Sequence, residues 1–470
     1  MALPRRRTCA TVAAAALAVT ALAAPTSAAL TASQVLVVYN SKGPDGNGNL
    51  VADSLDVYNA YAATHPGVLG FDLNDATLAP GTITYVDFEA KVRDPLRNFL
   101  NANNLASQVV ALTMTKGLPH RISDTDNAGV GDSPGGTQTE FNNGDANFAS
   151  VDSELTLLWQ NLRTGEAGGA FDSHADNYIV NPYFSSSSPA TTFARNNITA
   201  AKTFVPGVDQ NNNQVGWFVK DGPGQNATSD AGDFYLVTRL DGDTVAQVVA
   251  SIGRAQAITY NKAVDRVVID ENATGNLDGT DYASAATTLT LAGATVTHDT
   301  SSTFLIGNNL LATVPDTASQ RLAGPVMALV TYGGNHSGAS QDEYVFTWQG
   351  QLVNGAILNS MESYNGRPLG GLSEYTDQAS VAEWIAAGGT FATGNVYEPF
   401  SNTVPLSNVL LDRFLLQGWT WAEAAYAAAP VLSWQQIFIG DPLATIPEPA
   451  SALLLLGTPL LWARRGRRGG

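Results

Sequence analysis

The sequence predicts a three-layer α/β fold with a mostly parallel sheet, interrupted by long loops rich in glycine and asparagine. Short continuous apolar runs alternate with segments of helical periodicity along the 470 residues, as in parallel sheets whose strands are buried on both faces. The apolar share of 44% is enough for at least one large core. Only 14% of the residues are charged, and the 44 glycines are typical of a chain with many turns.

Residues 30–235 form the first predicted α/β region. Its apolar runs predict a buried strand, an Asn/Gly turn, two helices and a second buried strand. The two strands cover residues 34–39 and 108–113, and the two helices cover residues 50–63 and 88–101. Two stretches, 124–147 and 184–232, are rich in Gly, Asn, Asp and Ser and predict long surface loops.

Residues 236–445 form the second predicted α/β region, in which strands and helices continue to alternate. Predicted helices cover residues 244–257, 282–291, 380–387, 406–417 and 421–429. Predicted strands cover residues 266–269, 294–297, 326–332, 355–358 and 389–393. We expect both regions to belong to one body with a division near residue 235.

The N-terminal residues 1–29 predict a secretory signal that signal peptidase removes. Arg5, Arg6 and Arg7 precede an apolar stretch over residues 10–24, and small residues follow at 26–29. The alternative is an N-terminal membrane anchor, although the apolar stretch is short for a membrane span. The single cysteine of the chain, Cys9, lies within this segment, so the mature protein is expected to have no thiol.

The C-terminal residues 446–470 carry three parts in a fixed order. They are the triplet Pro447-Glu448-Pro449, an apolar run over residues 450–463, and the basic end Arg464, Arg465, Arg467 and Arg468. This arrangement resembles the PEP-CTERM sorting signal. The resemblance implies recognition by an exosortase-type enzyme while the short helix lies in the inner membrane, and release of the body to the cell surface or the extracellular space. The alternative is an ordinary C-terminal membrane helix.

Seven short motifs occur in order along the rest of the chain. They are VLVVYN (35–40), TKGLPHRI (115–122), SVDSEL (150–155), NPYF (181–184), TRLDGDT (238–244), VYEPF (396–400) and IGDPL (439–443). Together they resemble an uncharacterised exported family of bacteria that also carry exosortase. The resemblance spans nearly all of the mature chain. It implies export and names no reaction, because no activity is established for that family.

The chain from about Arg266 onward also resembles the caspase-like fold of gingipain-type peptidases. In that fold a histidine follows one buried strand and the nucleophilic cysteine follows the next. His336, in GGNHSG, follows the run over residues 326–332, as the resemblance implies. The segment after the next predicted strand, LNSMES at 358–363, contains no cysteine. The C-terminal half is therefore expected to have the caspase-like fold without the cysteine that acts as the nucleophile in that fold.

A serine could replace that nucleophile. The candidate residues are His336 as base, Ser360 or Ser363 as nucleophile, and Glu362 or Asp342 as orienting acid. Against this, the chain has no G-x-S-x-G elbow there, and a histidine in a glycine-rich loop can simply stabilise the turn. We expect a structural or binding protein on a peptidase-like scaffold, with a serine-dependent hydrolase or peptidase as the alternative.

One acidic loop has the ligand spacing of an EF-hand-like calcium site. Positions 1, 3, 5, 7, 9 and 12 are Asp270, Asn272, Thr274, Asn276, Asp278 and Asp281, with Gly275 at position 6. The alternative is a polar turn between a strand and a helix, in which Asp281 starts the helix. Calcium is thus the one cofactor that the sequence suggests.

The charge balance argues against nucleic acid as a partner. The chain has 24 basic and 42 acidic residues. Removing seven basic residues and one acidic residue in the two ends leaves 17 against 41 over residues 30–446, a net charge of −24. Phosphate binding requires the opposite sign. Divalent cations, or a surface polymer or neutral glycan, fit such a body better. Trp217, Trp419 and Trp421 could bind sugars if they are exposed, and the alternative is that they belong to the core.

Overall fold

The computed structural model describes ten segments of the chain. They are residues 29–123, 149–160, 179–202, 204–208, 214–218, 231–271, 279–312, 319–333, 344–369 and 378–447. The predicted signal sequence up to residue 28, the loop at 124–147 and the sorting tail from Glu448 onward lie outside these segments.

The strands of the described segments fall into one large sheet and three small ones. In chain order they are β1 (Val35–Tyr39), β2 (Leu69–Asp72), β3 (Gly81–Thr84), β4 (Ala111–Thr115), β5 (Pro119–Ser123), β6 (Ala149–Ser150), β7 (Ile179–Val180), β8 (Phe204–Val208), β9 (Gln214–Phe218), β10 (Leu236–Leu240), β11 (Arg266–Asp270), β12 (Val296–Asp299), β13 (Phe304–Ile306), β14 (Ser319–Arg321), β15 (Val326–Thr331), β16 (Leu352–Ser360), β17 (Phe391–Asn395), β18 (Val431–Leu432) and β19 (Gln436–Ile439).

The α-helices connect and cover these strands. In chain order they are α1 (Asp53–Thr64), α2 (Tyr85–Phe88), α3 (Asp94–Ala102), α4 (Val151–Thr156), α5 (Val245–Gln256), α6 (Gly279–Leu291), α7 (Val381–Ala387), α8 (Ser407–Leu411) and α9 (Trp421–Ala428). Two π-helical segments, Glu89–Arg93 and Asp412–Leu416, extend α2 and α8. Each of these segments lies within a helix that the sequence predicts as continuous.

Capping residues explain where several helices begin and end. Thr244 and Gln247 form a capping box at the start of α5, and Thr420 and Glu423 form another at the start of α9. Helix α7 ends at Gly388, whose φ of +110° places it in the left-handed region that glycine adopts without strain. The helix boundaries thus follow from local sequence.

The central sheet has ten strands in the order β12-β11-β15-β16-β17-β19-β10-β4-β1-β2. Neighbouring strands are parallel throughout this sheet except for β17 and β19, which are antiparallel. The strands on either side of this pair therefore run in opposite directions. The prediction of a mixed α/β fold with a large, mostly parallel sheet is confirmed.

Apolar cores cover both faces of this sheet. Val267 and Ile269 of β11 pack into one buried cluster, whereas Val268 between them packs into another. Alternate residues of a strand point to opposite faces, so each face of β11 contacts its own core. This is the arrangement that a three-layer fold requires, and it explains why the strand is a continuous apolar run.

The sheet runs through both predicted regions. Strand β10 lies beside β4 of the first region, and β19 near the end of the chain connects β10 to β17. Strands β8 and β9 pair as an antiparallel hairpin within the stretch predicted as loop at 184–232. Within the described segments, no helix is long and apolar enough to cross a bilayer, and the predicted membrane helix at 450–463 lies outside them.

Candidate functional site

The candidate catalytic residues follow two neighbouring strands. Strands β15 and β16 are parallel, with Thr331 opposite Ser360 at their carboxyl ends. The segments that follow them therefore leave the sheet at the same edge. Glu362 and Ser363 come directly after β16, whereas His336 lies outside the described residues.

Ser360 is held by a buried carboxylate. Its hydroxyl donates to Oε2 of Glu362 at 2.9 Å and accepts the backbone N–H of Glu362 at 3.3 Å. The same Oε2 accepts the backbone N–H of Ala379 at 2.7 Å. Ser360 is 2% exposed and Glu362 is fully buried. This serine therefore faces an acid and is buried inside the described part of the protein.

Gly333, which follows the neighbouring strand β15, lies directly against the Glu362 side chain. A Cβ at Gly333 would lie 2.1 Å from Cδ of Glu362, and the φ of Gly333 is +89°. Only glycine fits at such a distance in this conformation. Ser363, by contrast, is partly exposed. Of the two candidate serines, Ser363 is the more accessible.

A second acid, Asp270, lies at the carboxyl end of β11. Its Oδ2 accepts the backbone N–H of Leu305 at 2.9 Å, while its buried Oδ1 has no hydrogen-bond partner. Burial raises the pKa of Asp270 to about 8, and Asp299 adds to this. Burial also raises the pKa of the Tyr344 hydroxyl, with Asp270 and Glu362 contributing. A protonated carboxyl thus lies among buried polar groups at this edge.

The predicted calcium loop is described only at its two ends. Asp281 is 6% exposed, and its carboxylate accepts the backbone N–H groups of Ser407 at 2.7 Å and Asn408 at 2.9 Å. It therefore caps helix α8 from helix α6. Residues 272–278, which supply the other four ligands, lie outside the described segments. Calcium binding by Asp270 and Asp281 stays a prediction.

A buried ion-pair network in the other half of the sheet was not predicted. Arg239 on β10 is fully buried, and its guanidinium contacts both carboxylate oxygens of Asp152, at 2.6 and 3.1 Å. It also donates to Asp241 at 3.3 Å and to the carbonyls of Leu118 and Pro119. All five donors of the guanidinium are thus used. The spacing of residues in the sequence does not show that Arg239 is buried.

Three of the seven ordered motifs meet in this network. Arg239 and Asp241 belong to TRLDGDT, Asp152 belongs to SVDSEL, and the two carbonyls belong to TKGLPHRI. These motifs therefore include residues that hold β10, β5 and α4 together. Their order along the chain was the only signal in the sequence that could have indicated the contact.

His120 lies beside the same network. It is 3% exposed, and neither of its ring nitrogens has a hydrogen-bond partner. Burial lowers the pKa of His120 well below its usual value, and Arg239, Arg121 and Arg367 lower it further. The imidazole is therefore neutral inside the protein.

In comparisons with known proteins, the chain matches no family model, no curated protein and no solved structure. Its function is therefore inferred from the contacts at the carboxyl edges of the sheet and from the two ends of the sequence.

Proposed function

We propose that this protein is an exported cell-surface or extracellular-matrix protein with a non-catalytic, binding role on a peptidase-like scaffold. The observation that carries the proposal is the environment of Ser360. This serine ends β16 and is a candidate nucleophile on the proposed scaffold, yet it is buried and hydrogen-bonded to Glu362.

The burial of Ser360 is unfavourable for nucleophilic catalysis. A serine attacks only when a base removes its proton as the bond forms. Glu362 accepts a hydrogen bond from the Ser360 hydroxyl and could take that proton, but the oxygen must also reach a substrate, and Ser360 is only 2% exposed. The hydrogen bonds of Glu362 to Ser360 and Ala379 instead fit a role in fixing the segment after β16.

A serine-dependent hydrolase is the alternative. The parallel pairing of β15 and β16 supports this alternative. The two strands end at the same edge of the sheet, and the segments that contain His336 and Ser363 follow them there. Ser363 is also partly exposed. In this alternative His336 is the base and Ser363, or less favourably Ser360, is the nucleophile.

Labelling with a fluorophosphonate probe separates the two functions. The purified protein and its variants Ser363→Ala, Ser360→Ala and His336→Ala are incubated with the probe and resolved on a gel. The binding role predicts no covalent label on any of them. A label on the parent protein that disappears in Ser363→Ala or Ser360→Ala, and in His336→Ala, would establish the hydrolase instead.

The exported location rests on the two ends of the chain. The signal-like residues 1–29 and the tail at 446–470 favour processing by signal peptidase and then by an exosortase-type enzyme. The acidic body between them favours a cation or a neutral surface polymer or glycan as partner. Trp419 and Trp421 are buried, so the sequence-based suggestion that these two side chains bind sugars is wrong.

Cell fractionation tests this location. Replacing Arg464, Arg465, Arg467 and Arg468 with glutamine, or Pro447-Glu448-Pro449 with alanine, should retain the protein in the inner membrane. A control variant with Lys42→Gln and Lys262→Gln, two exposed body residues, should reach the cell surface or the medium like the parent. Equal distribution of all variants would contradict the sorting role.

A further inference from the structure

We propose that Arg195 forms a binding site for an oxyanion, such as a carboxylate, phosphate or sulfate group, beside the residues that precede β10. Arg195 is 8% exposed, whereas its neighbours in sequence, Ala194 and Asn196, are exposed. The guanidinium therefore lies beneath a surface segment of the chain. The site uses none of the residues around Ser360, so it does not depend on the role of that serine.

The guanidinium of Arg195 is bound through only one of its three nitrogens. Its Nη1 donates to the carbonyls of Gly232 and Phe234, both at 2.9 Å. Among the described residues, nothing accepts a hydrogen bond from the buried Nε or Nη2. Burying two such donors is costly, and more so because they belong to a charged group. An acceptor at these two nitrogens would remove that cost.

Nε and Nη2 together form the edge of a guanidinium that can bind two oxygens of one anion. Arg239 shows this geometry in the same protein, because its Nε and Nη2 lie 3.1 and 2.6 Å from the two carboxylate oxygens of Asp152. The partly buried Arg254 uses the same two nitrogens to donate to backbone carbonyls. Arg195 presents this edge with no such partner in the described part of the chain, so an oxyanion fits it.

The direction of this edge is fixed by the surrounding residues. The backbone at Gly232 approaches the segment before Arg195 so closely that a Cβ at Gly232 would lie 2.3 Å from the carbonyl oxygen of Ala194. The guanidinium carbon of Arg195 lies 5.1 Å from the centre of the Tyr235 ring. Together with the two hydrogen bonds of Nη1, these contacts orient the side chain before an anion binds. Little conformational entropy would therefore be lost on binding.

The positive charge of Arg195 is only partly compensated. Asp233 stabilises this charge, but the same carboxylate forms an ion pair with Lys202. The Tyr235 hydroxyl stays neutral, because burial raises its pKa to about 12, and it donates to the carbonyl of Ala106. Burial lowers the pKa of Arg195 to about 10. The group thus stays charged at neutral pH, at a cost in free energy that a bound anion would reduce.

Equilibrium dialysis with radiolabelled phosphate, sulfate or acetate tests the site, with chloride keeping the ionic strength constant. The purified protein should bind one ion per chain, with a Kd of about 1 mM or below for the preferred ion, because two charge-assisted hydrogen bonds form. Arg195→Lys keeps the charge but loses the two parallel N–H groups, and it should bind at least tenfold more weakly. The matched control Arg254→Lys should bind like the parent.

A variant that gains affinity keeps the result decisive if circular dichroism shows that Arg195→Lys does not fold. Asp233→Asn removes the carboxylate that competes for Arg195 and leaves every cation in place, so it should bind the preferred ion at least threefold more tightly. The proposal would be overturned by no binding to the parent up to about 10 mM, or by equal binding to folded Arg195→Lys. An equal loss in Arg254→Lys, or affinity that does not rise in folded Asp233→Asn, would also contradict it.

Discussion

Asp270 makes stability depend on pH in an unusual direction. Most carboxyls stabilise the folded state when they ionise, but burial raises the pKa of Asp270 to about 8, above the unfolded value of about 3.9. Between these values the folded state holds one proton more than the unfolded state. The contribution of Asp270 to the free energy of unfolding should therefore fall by about 1.4 kcal/mol per pH unit as the pH rises from 5 to 7.

Asp270→Asn should remove this slope, because asparagine stays neutral and still accepts the N–H of Leu305. Urea unfolding at pH 5, 6, 7 and 8 measures the difference between variant and parent. Asp87→Asn, at a side chain that is 46% exposed, serves as the control and should keep the slope. Parallel pH profiles for Asp270→Asn and the parent would show that Asp270 ionises normally.

His120 affects the pH dependence of stability with the opposite sign. Burial, with help from Arg239, Arg121 and Arg367, lowers its pKa well below 6.5, so the unfolded chain binds a proton that the folded protein excludes. The contribution of His120 to the free energy of unfolding should fall by up to about 1.4 kcal/mol per pH unit as the pH drops below 6.5. His120→Leu should flatten this acid limb in urea titrations between pH 4.5 and 7.5. A variant as acid-sensitive as the parent would contradict a neutral, buried His120.

At the scale of elements, the sequence predicts strands that are buried on both faces and misses strands that depend on their partners. Strands β1 and β15 are continuous apolar runs and are found where predicted. Strand β2 has four partly buried residues, and β8 contains a proline and a glycine. Because their pairing comes from distant strands, no local pattern marks them.

Helix α8 depends on a residue of another helix. Asp281 of α6 accepts two backbone N–H groups at the start of α8. Asparagine has only one acceptor oxygen, so Asp281→Asn should leave one of these groups unpaired and cost about 1–2 kcal/mol. Urea unfolding with and without 1 mM CaCl2 should show the same loss. A loss that appears only with calcium would favour the metal-ligand role that the sequence suggests for Asp281.

At the scale of the molecule, the order of strands along the chain predicts that the candidate residues lie near one sheet edge. It does not predict which residues surround them. The alternation of strands and helices places Ser360 beside Thr331 at one sheet edge. It cannot show that Glu362, the hydrogen-bond partner of Ser360, is contacted by Gly333 and Ala379, since these contacts come from other segments.

The last strand joins the two oppositely directed parts of the sheet. Strand β19 pairs antiparallel with β17, and Gly440 donates to the carbonyl of Arg239 on β10. Its residues also reach both cores, because Ile437 packs into one buried cluster and Phe438 into the other. Without β19, two strand edges and two apolar faces would be exposed at the centre of the molecule.

A chain that ends at Pro447 should therefore fold like the full-length protein, whereas a chain that ends at Trp434 should not. Cleavage within the proposed sorting tail would leave β19 intact, since β19 ends at Ile439, so the proposed processing would release the body as a folded unit. Circular dichroism and urea unfolding compare the two truncated chains. We expect one cooperative transition at the parent midpoint for the longer chain and none for the shorter. A cooperative transition in the chain ending at Trp434 would mean that the two parts of the sheet are stable without the strand between them.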